Sequence, residues 1–229
     1  MSNNVSQGVQ AKPARDEETT ELLSDKAYRI IEEMIVTLKL PPGSLVTEGG
    51  LSKDLGIGRT PVREALQRVA REGLVQLFRS RGFLVSDIDA KDQLRVLEAR
   101  RSIEMLAARL ASDRATNAQR DQFRSLARAF LEVQANDEMR FIRADLAFNG
   151  LLMDATFNPY CREMMATTQG LSRRFFFRYK DVLDISLAAQ QHARIATAIA
   201  DGNPTAAADA VDTLITSNED FARRTLSLP

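Results

Sequence analysis

The sequence LSKDLGIGRTPVREAL occupies residues 51–66 and contains two helical patterns separated by a short glycine-containing turn. Pro61 falls in the first turn of the second pattern, where its missing N–H costs little. We therefore expect this helix to begin near Arg59 and to end at Gly73. The first pattern predicts a short helix over about 48–55, so the pair predicts a helix-turn-helix. The buried stripe of the second helix is expected to comprise Val62, Leu66 and Val69.

Helical and β-type patterns flank this pair on both sides. Ser24 or Asp25 can cap an earlier helix, in which apolar residues recur at helical spacing and which the prolines of 41–43 end. After the helix-turn-helix come two β-type runs, 74–78 and 82–86, which predict a small hairpin. Three helices and a hairpin in this order predict a winged helix-turn-helix.

The second half of the chain is dominated by long amphipathic patterns. Each pattern starts at a cap-forming side chain or at a proline, and six helices with short connections predict an antiparallel bundle that can hold a ligand between facing helices. The expected fold is therefore mainly α: a disordered tail at 1–23, a winged helix-turn-helix at 24–88 and an all-helical domain at 89–229. The six helices are expected over about 90–112, 117–135, 138–156, 159–178, 185–201 and 204–226.

The composition limits the function classes. With 44% hydrophobic and 27% charged residues the chain can bury a core, and no apolar run is long enough to span a membrane. Cys161 and His192 are the only residues of their types, which excludes an intrachain disulfide and a zinc site built from several Cys and His ligands. Neither lies in a nucleophile–base motif, so we do not expect an enzyme. The N-terminus lacks a signal-peptide pattern, and we expect a cytoplasmic protein.

A local excess of arginine marks the helix-turn-helix. The chain carries 31 basic and 31 acidic residues, but residues 59–81 hold six arginines against two glutamates. In a winged helix-turn-helix the third helix enters the major groove with its N-terminal residues facing the bases. Arg59, Thr60 and Arg63 lie at that end, and arginine binds guanine or phosphate bidentately. A solvated helix face is the alternative interpretation, and the order of elements favours DNA binding.

Two other groups of arginines have different expected roles. Arg79 and Arg81 lie at the tip of the predicted hairpin, where they would meet the neighbouring backbone or minor groove. Arg173 and Arg174 precede the aromatic run 175–177. Arginine beside aromatic residues can stack on nucleic acid, but at helical spacing this run predicts core or a dimer interface.

Both halves of the sequence resemble a known family. Residues 51–66 are similar to the helix-turn-helix of the GntR family of bacterial transcription regulators. Residues 73–75 and 81–85 resemble the wing of that family. The second half resembles the FCD effector domain of the FadR-like branch. This resemblance implies a homodimer on a two-fold operator, and DNA contacts from Gly82 as well as from the three helix residues named above. The FCD-like stretches are 97–104, 145–149, 155–159, 191–195 and 206–211.

The resemblance has departures in both halves. Gly49 stands where many relatives place a DNA-contacting arginine, and Gly58 replaces the usual Ser or Thr cap. Many FCD domains bind a divalent metal through an Asp, a His four residues later and two further His. Asp145 matches the first of these ligands and His192 a later one. Asn149 and Leu214 stand at the other two positions.

Three interpretations of this second group stay open. Asp145 and His192 can hold a metal with Asn149 as a third ligand, although one carboxylate, one amide and one imidazole are a weak set for a transition metal. They can instead line a metal-free polar pocket, or His192 can be a core residue hydrogen-bonded to one of the other two.

Arg100 is the remaining inward-facing candidate and matches the pocket arginine of the family. A buried guanidinium needs a partner, which can be Glu104, Asp145 or an incoming carboxylate. We therefore expect the effector-binding residues to be Arg100, Asp145, Asn149 and His192.

The sequence thus predicts a metabolite-responsive DNA-binding transcription regulator. Its expected partners are double-stranded operator DNA, a small organic acid and a second copy of the chain, with no membrane. We expect a repressor that the acid releases from its operator. An architectural DNA-binding dimer without an effector is the alternative, and an enzyme that uses the helical bundle is the least favoured.

Overall fold

The computed structural model describes residues 22–78 and 81–226, which form two regions with separate hydrophobic cores. The N-terminal region, called the winged helix below, contains three helices and three short strands. Its elements are α1 (Leu23–Val36), β1 (Leu45–Val46), α2 (Glu48–Leu55), α3 (Arg59–Arg71), β2 (Val75–Phe78) and β3 (Gly82–Val85).

The winged helix confirms the predicted order of elements and adds a strand. β1 was not predicted, because two residues are too short to show an alternating pattern. It pairs antiparallel with β3, which also pairs antiparallel with β2, so the sheet order is β1-β3-β2. The first helix begins at Leu23 and its cap residue Leu22 makes no side-chain bond, so the prediction that Ser24 or Asp25 caps it is wrong. Most of the predicted tail, residues 1–21, lies outside the described residues.

Local signals explain the turn between α2 and α3. The Thr47 side chain accepts a hydrogen bond from the Gly50 amide at 3.1 Å and caps α2. The helix ends at Gly56, whose φ of 64° is the left-handed conformation that glycine adopts most readily. The predicted apolar stripe of α3 is fully buried, with Val62, Leu66 and Val69 all at 0% exposure. These residues pack α3 against α1.

The second region, called the helical bundle below, contains six α-helices within the described residues. The prediction that each helix starts at a capping side chain is confirmed, because each cap accepts a hydrogen bond from the first turn and contributes about 1 kcal/mol. The caps are Asp89, Thr116, Asp137, Asn158, Asp184 and Asn203. α5 ends at Leu131 rather than near residue 135, because the chain turns there and buries Val133 in the core. The helices are α4 (Ala90–Arg114), α5 (Asn117–Leu131), α6 (Glu138–Ala155), α7 (Pro159–Arg178), α8 (Ile185–Ala200) and α9 (Pro204–Thr225), with a 3-10 turn at Lys180–Val182.

α7 joins the bundle to the winged helix. Leu171 packs against the core of the winged helix, and a Cβ at Gly170 would lie 3.0 Å from Leu74 Cδ1. The guanidinium of Arg174 is buried and donates to the carbonyl oxygens of Leu74 and Asp87. Burial lowers the pKa of Arg174 to about 10, against the opposing charge of Asp87. α7 therefore belongs to the helical bundle but is held against the winged helix.

Within the described residues, no helix is long and apolar enough to cross a bilayer.

Candidate DNA interface and ligand pocket

The N-terminal end of α3 is exposed and carries the predicted DNA-contacting residues. Gly58 provides no side-chain cap, so the first N–H groups of α3 are open to a phosphate. Arg59, Thr60 and Arg63 are all exposed. Arg63 Nε lies 3.0 Å from Glu48 Oε2, and this ion pair orients the guanidinium while leaving 58% of its side chain accessible.

Gly49, at the start of α2, lies beside an arginine of α3. A Cβ on Gly49 would lie 3.7 Å from Arg59 Nη2, so the guanidinium of Arg59 already occupies the space beside this glycine. Arg59 therefore lies against the start of α2.

The wing contributes a second set of groups. Arg81 is exposed, and its guanidinium lies 5.7 Å from the ring centre of Phe78. Gly82 is half-buried with φ of 108°, and a Cβ there would meet Val46 O at 2.4 Å. Glycine is therefore required at position 82 for the close approach of β1, whatever else it contacts. Arg79 lies outside the described residues.

A cavity in the helical bundle brings together all four residues that the sequence singled out there. Its open volume of about 40 Å³ is small, so a ligand of more than a few atoms requires the lining to rearrange. Its lining combines apolar side chains, among them Phe141, Phe176 and Phe177, with charged ones. The predicted residues on its lining are Arg100, Asp145, Asn149 and His192.

Asp145 is the centre of the charged part of the lining. Its Oδ1 accepts from Asn149 Nδ2 at 2.9 Å and lies 3.3 Å from His192 Nε2, while its Oδ2 lies 3.4 Å from Arg173 Nη1. Burial raises the pKa of this carboxyl, but the hydrogen bond from His192 and the charges of Arg173 and Arg100 outweigh it and lower the pKa to about 2. The cavity therefore contains a carboxylate that is ionised at neutral pH.

His192 lies among three phenylalanine rings and has a partner at each ring nitrogen. Its Nδ1 lies 2.8 Å from the Ala188 carbonyl oxygen, which makes Nδ1 the donor and turns Nε2 toward Asp145. The rings of Phe130, Phe141 and Phe148 surround the imidazole at centroid distances of 5.0 to 5.8 Å. The orientation of His192 is thus set before any ligand enters.

The donor set does not fit a divalent metal. Asn149 presents its amide nitrogen to two oxygens of Asp145, so it offers no lone pair on that side. The positive charge of Arg173 lies beside the other carboxylate oxygen of Asp145 and opposes a cation there. Leu214, at a family ligand position, is buried in the core. Among the described residues no group of three or more His, Cys, Asp and Glu side chains is arranged to hold a metal ion.

Arg100 is paired inside the protein. Its Nε donates to Glu104 Oε1 at 3.2 Å and its Nη2 bonds the same oxygen, with both side chains buried. Of the partners considered from the sequence, Glu104 is the one that the structure selects. Glu104 Oε2 is buried and has no hydrogen-bond partner.

Two further residues of the lining were not identified from the sequence. Gln169 Nε2 and Arg173 Nε are buried donors without a partner, and both side chains line the cavity. Leaving such donors unsatisfied costs about 1–3 kcal/mol each. The helical spacing of 169 and 173 places them on one face of α7, which is the signal that could have found them.

The aromatic run 175–177 belongs to the bundle interior and the cavity wall. Phe175 is buried, and Phe176 and Phe177 line the cavity. The predicted core role is confirmed for Phe175, and the predicted dimer interface stays a prediction for the half-buried Phe176 and Phe177.

Family models match both regions of the chain. The model described as "Bacterial regulatory proteins, gntR family" matches residues 23–85, and the FCD domain model matches residues 95–217. The chain belongs to the GntR family. It is a transcriptional regulator with an FCD domain and not an enzyme. Regulators of this family bind operator DNA, and FCD domains bind small-molecule effectors.

Curated relatives and solved structures agree with this assignment. The Nta operon transcriptional regulator of Aminobacter aminovorans is 31% identical over 73% of this chain and 79% of its own length. The galactonate operon transcriptional repressor of Escherichia coli K12 is 26% identical over 85% of this chain and 94% of its own. The structure of E. coli McbR/YncC covers 91% of this chain and all of that one, with a TM-score of 0.72 at 14% identity, and shares the fold.

Proposed function

We propose that this GntR regulator is a repressor that binds a two-fold operator as a homodimer and is released when a small carboxylate enters the bundle cavity. The cavity carries this proposal, because it combines unpartnered buried donors with apolar side chains. A ligand with an oxygen acceptor and a short hydrocarbon part matches both.

The DNA-binding part rests on the exposed end of α3 and on the wing. Arg59 and Arg63 are positioned to contact base edges or phosphates, Thr60 to contact phosphate, and Arg81 to contact the backbone beside the wing. Arg79 and Gly82 stay in the proposed set. Among the relatives, the galactonate operon regulator is named a repressor, which supports the sign of regulation proposed here.

The proposed release is a shift between two arrangements of the winged helices in the dimer. The effector binds one arrangement better than the other, and the segment from Asp87 to Ala90 is the proposed pivot. The effector-binding set includes Arg100, Asp145, Asn149 and His192, to which the structure adds donors on α7.

The test is operator binding by fluorescence anisotropy, with a duplex selected from a random library by the purified full chain. We expect Arg59→Ala and Arg63→Ala each to weaken binding by about 5- to 150-fold, equivalent to about 1–3 kcal/mol. Arg128→Ala is the matched control, since it removes an exposed arginine of α5. Equal affinities for all three variants would reject the proposed interface.

The same assay tests the effector. Carboxylates of two to six carbons are titrated into the complex, and we expect one of them to release the wild-type protein but to act more weakly on Arg100→Ala. If no carboxylate changes operator affinity, the protein is an architectural DNA-binding dimer and the effector part is wrong.

A further inference from the structure

Helix α7 carries pocket residues and junction residues on adjoining positions. Gln169 and Arg173 line the cavity, whereas Gly170, Leu171 and Arg174 contact the winged helix. The residues of α7 that line the cavity therefore lie within one helical turn of those that contact the winged helix.

Arg173 is bonded to both regions at once. Its Nη1 lies 3.4 Å from Asp145 Oδ2 on the cavity wall, and its Nη2 is ion-paired with Glu32 Oε1 of α1. All three side chains are at least nine-tenths buried. Water screens a buried ion pair only weakly. A second anion that binds the arginine therefore weakens the attraction between the two original partners strongly.

The unpartnered donors show where a ligand would act on this arrangement. Arg173 Nε and Gln169 Nε2 lie four residues apart on one face of α7 and lack acceptors. A carboxylate that accepts hydrogen bonds from both donors competes with Glu32 for the positive charge of Arg173. It also adds a negative charge near Glu32.

We propose that the ligand's acceptor group binds Gln169 and Arg173, and that its binding weakens the Arg173–Glu32 ion pair that ties α1 to the helical bundle. This inference rests on the proposed function and specifies its regulation. The occupant of the site is a small oxyanion, and a carboxylate is favoured because its hydrocarbon part matches the apolar side chains of the lining.

The winged helix contains a direct route from Glu32 to the DNA-reading helix. Glu32 lies on α1, which packs on α3 through a common core. One turn before it, the hydroxyl of Tyr28 donates to Glu72 at 2.9 Å, and the guanidinium of Arg68 lies 3.6 Å above the ring of Tyr28. We therefore expect release of Glu32 to alter the support of α3 as well as of α1.

The test places a carboxylate at the site without needing to know the effector. Gln169→Glu puts a negative charge one turn from Arg173 and should act as a permanently occupied pocket. We expect α1 amides to exchange hydrogen about fivefold faster or more by mass spectrometry, and operator Kd to rise about fivefold or more. In a Glu32→Gln background, which already lacks the ion pair with Arg173, Gln169→Glu should change neither α1 exchange nor operator Kd any further.

Two comparisons complete the experiment. Gln190→Glu makes the same change at an exposed position of α8 and should leave α1 exchange unaltered. Asp145→Asn removes a negative charge that competes with Glu32 for Arg173. It should therefore strengthen the Arg173–Glu32 ion pair and slow hydrogen exchange in α1, but not in a Glu32→Gln background. It provides the test if Gln169→Glu does not fold.

The outcomes separate this inference from the proposed function. An α1 exchange rate that Gln169→Glu leaves unchanged, or changes equally with and without Glu32, overturns the inference even if operator binding is normal. Absence of operator binding by the wild-type chain would instead reject the proposed function, while α1 exchange still tests the coupling.

Discussion

Gly82→Ala is the sharpest test of the packing that holds the wing in place. The backbone of Gly82 has φ of 108°, and an added Cβ would lie 2.4 Å from the carbonyl oxygen of Val46. The contact is with backbone, so no side-chain rotation relieves it. β1 must move away from β3, where Val46 pairs with Phe83.

The expected cost has two parts. An alanine with positive φ costs about 1–2 kcal/mol, and displacing a packed neighbour costs about 1–3 kcal/mol more. Gly43 provides a control that has the backbone cost without the steric cost. Its φ is 76°, but no atom lies within 4 Å of the place that an added Cβ would take. Gly43→Ala should therefore cost only the backbone part, about 1–2 kcal/mol.

Hydrogen exchange read by mass spectrometry on peptides covering β1 and β3 measures this local stability. We expect Gly82→Ala to lower the free energy of opening by about 2–5 kcal/mol, which corresponds to exchange at least about 30-fold faster. If Gly82→Ala costs no more than Gly43→Ala, the close approach of Val46 does not constrain position 82 and the reasoning is refuted.

Two further predictions concern the helical bundle. The pKa of Asp145, lowered to about 2, contributes about 2–3 kcal/mol that is present above pH 4 and is lost as the pH falls toward 2. The stability difference between wild type and Asp145→Asn in urea denaturation should therefore shrink over that range, and a pH-independent difference would contradict it. Arg120 donates to the carbonyl oxygens of Ile199 at 3.0 Å and Ser112 at 2.7 Å, so Arg120→Met should lower the free energy of unfolding by about 2–3 kcal/mol. The exposed Arg128→Met is its control, and an equal loss in both variants would show that these bonds contribute nothing.

The helices were predictable because their signals are local. Asn158 followed by Pro159, and Asn203 followed by Pro204, each place a capping oxygen and a proline at a helix start, and both helices begin there. Where the prediction was wrong, a local signal was absent or ambiguous. The first helix starts without a side-chain cap, and β1 is too short for a pattern to be visible.

The pocket was predictable in part. The inward positions of Asp145, Asn149 and His192 follow from helical periodicity, and the structure brings these residues together. The sequence left three partners open for Arg100, and the tertiary structure pairs it with Glu104. The role of Arg173 was missed, because an arginine next to an aromatic run gives no sign of which charges it will meet.

The sequence by itself determined the order of the helices, the helix-turn-helix and the residues that face inward, because caps, proline positions and apolar periodicity act between near neighbours in the chain. Only the tertiary structure decided which charges meet. Arg173 and Glu32 are 141 residues apart in sequence, and their pairing depends on how α7 packs against α1. Buried charges require a partner, but the chain does not record which distant segment supplies it.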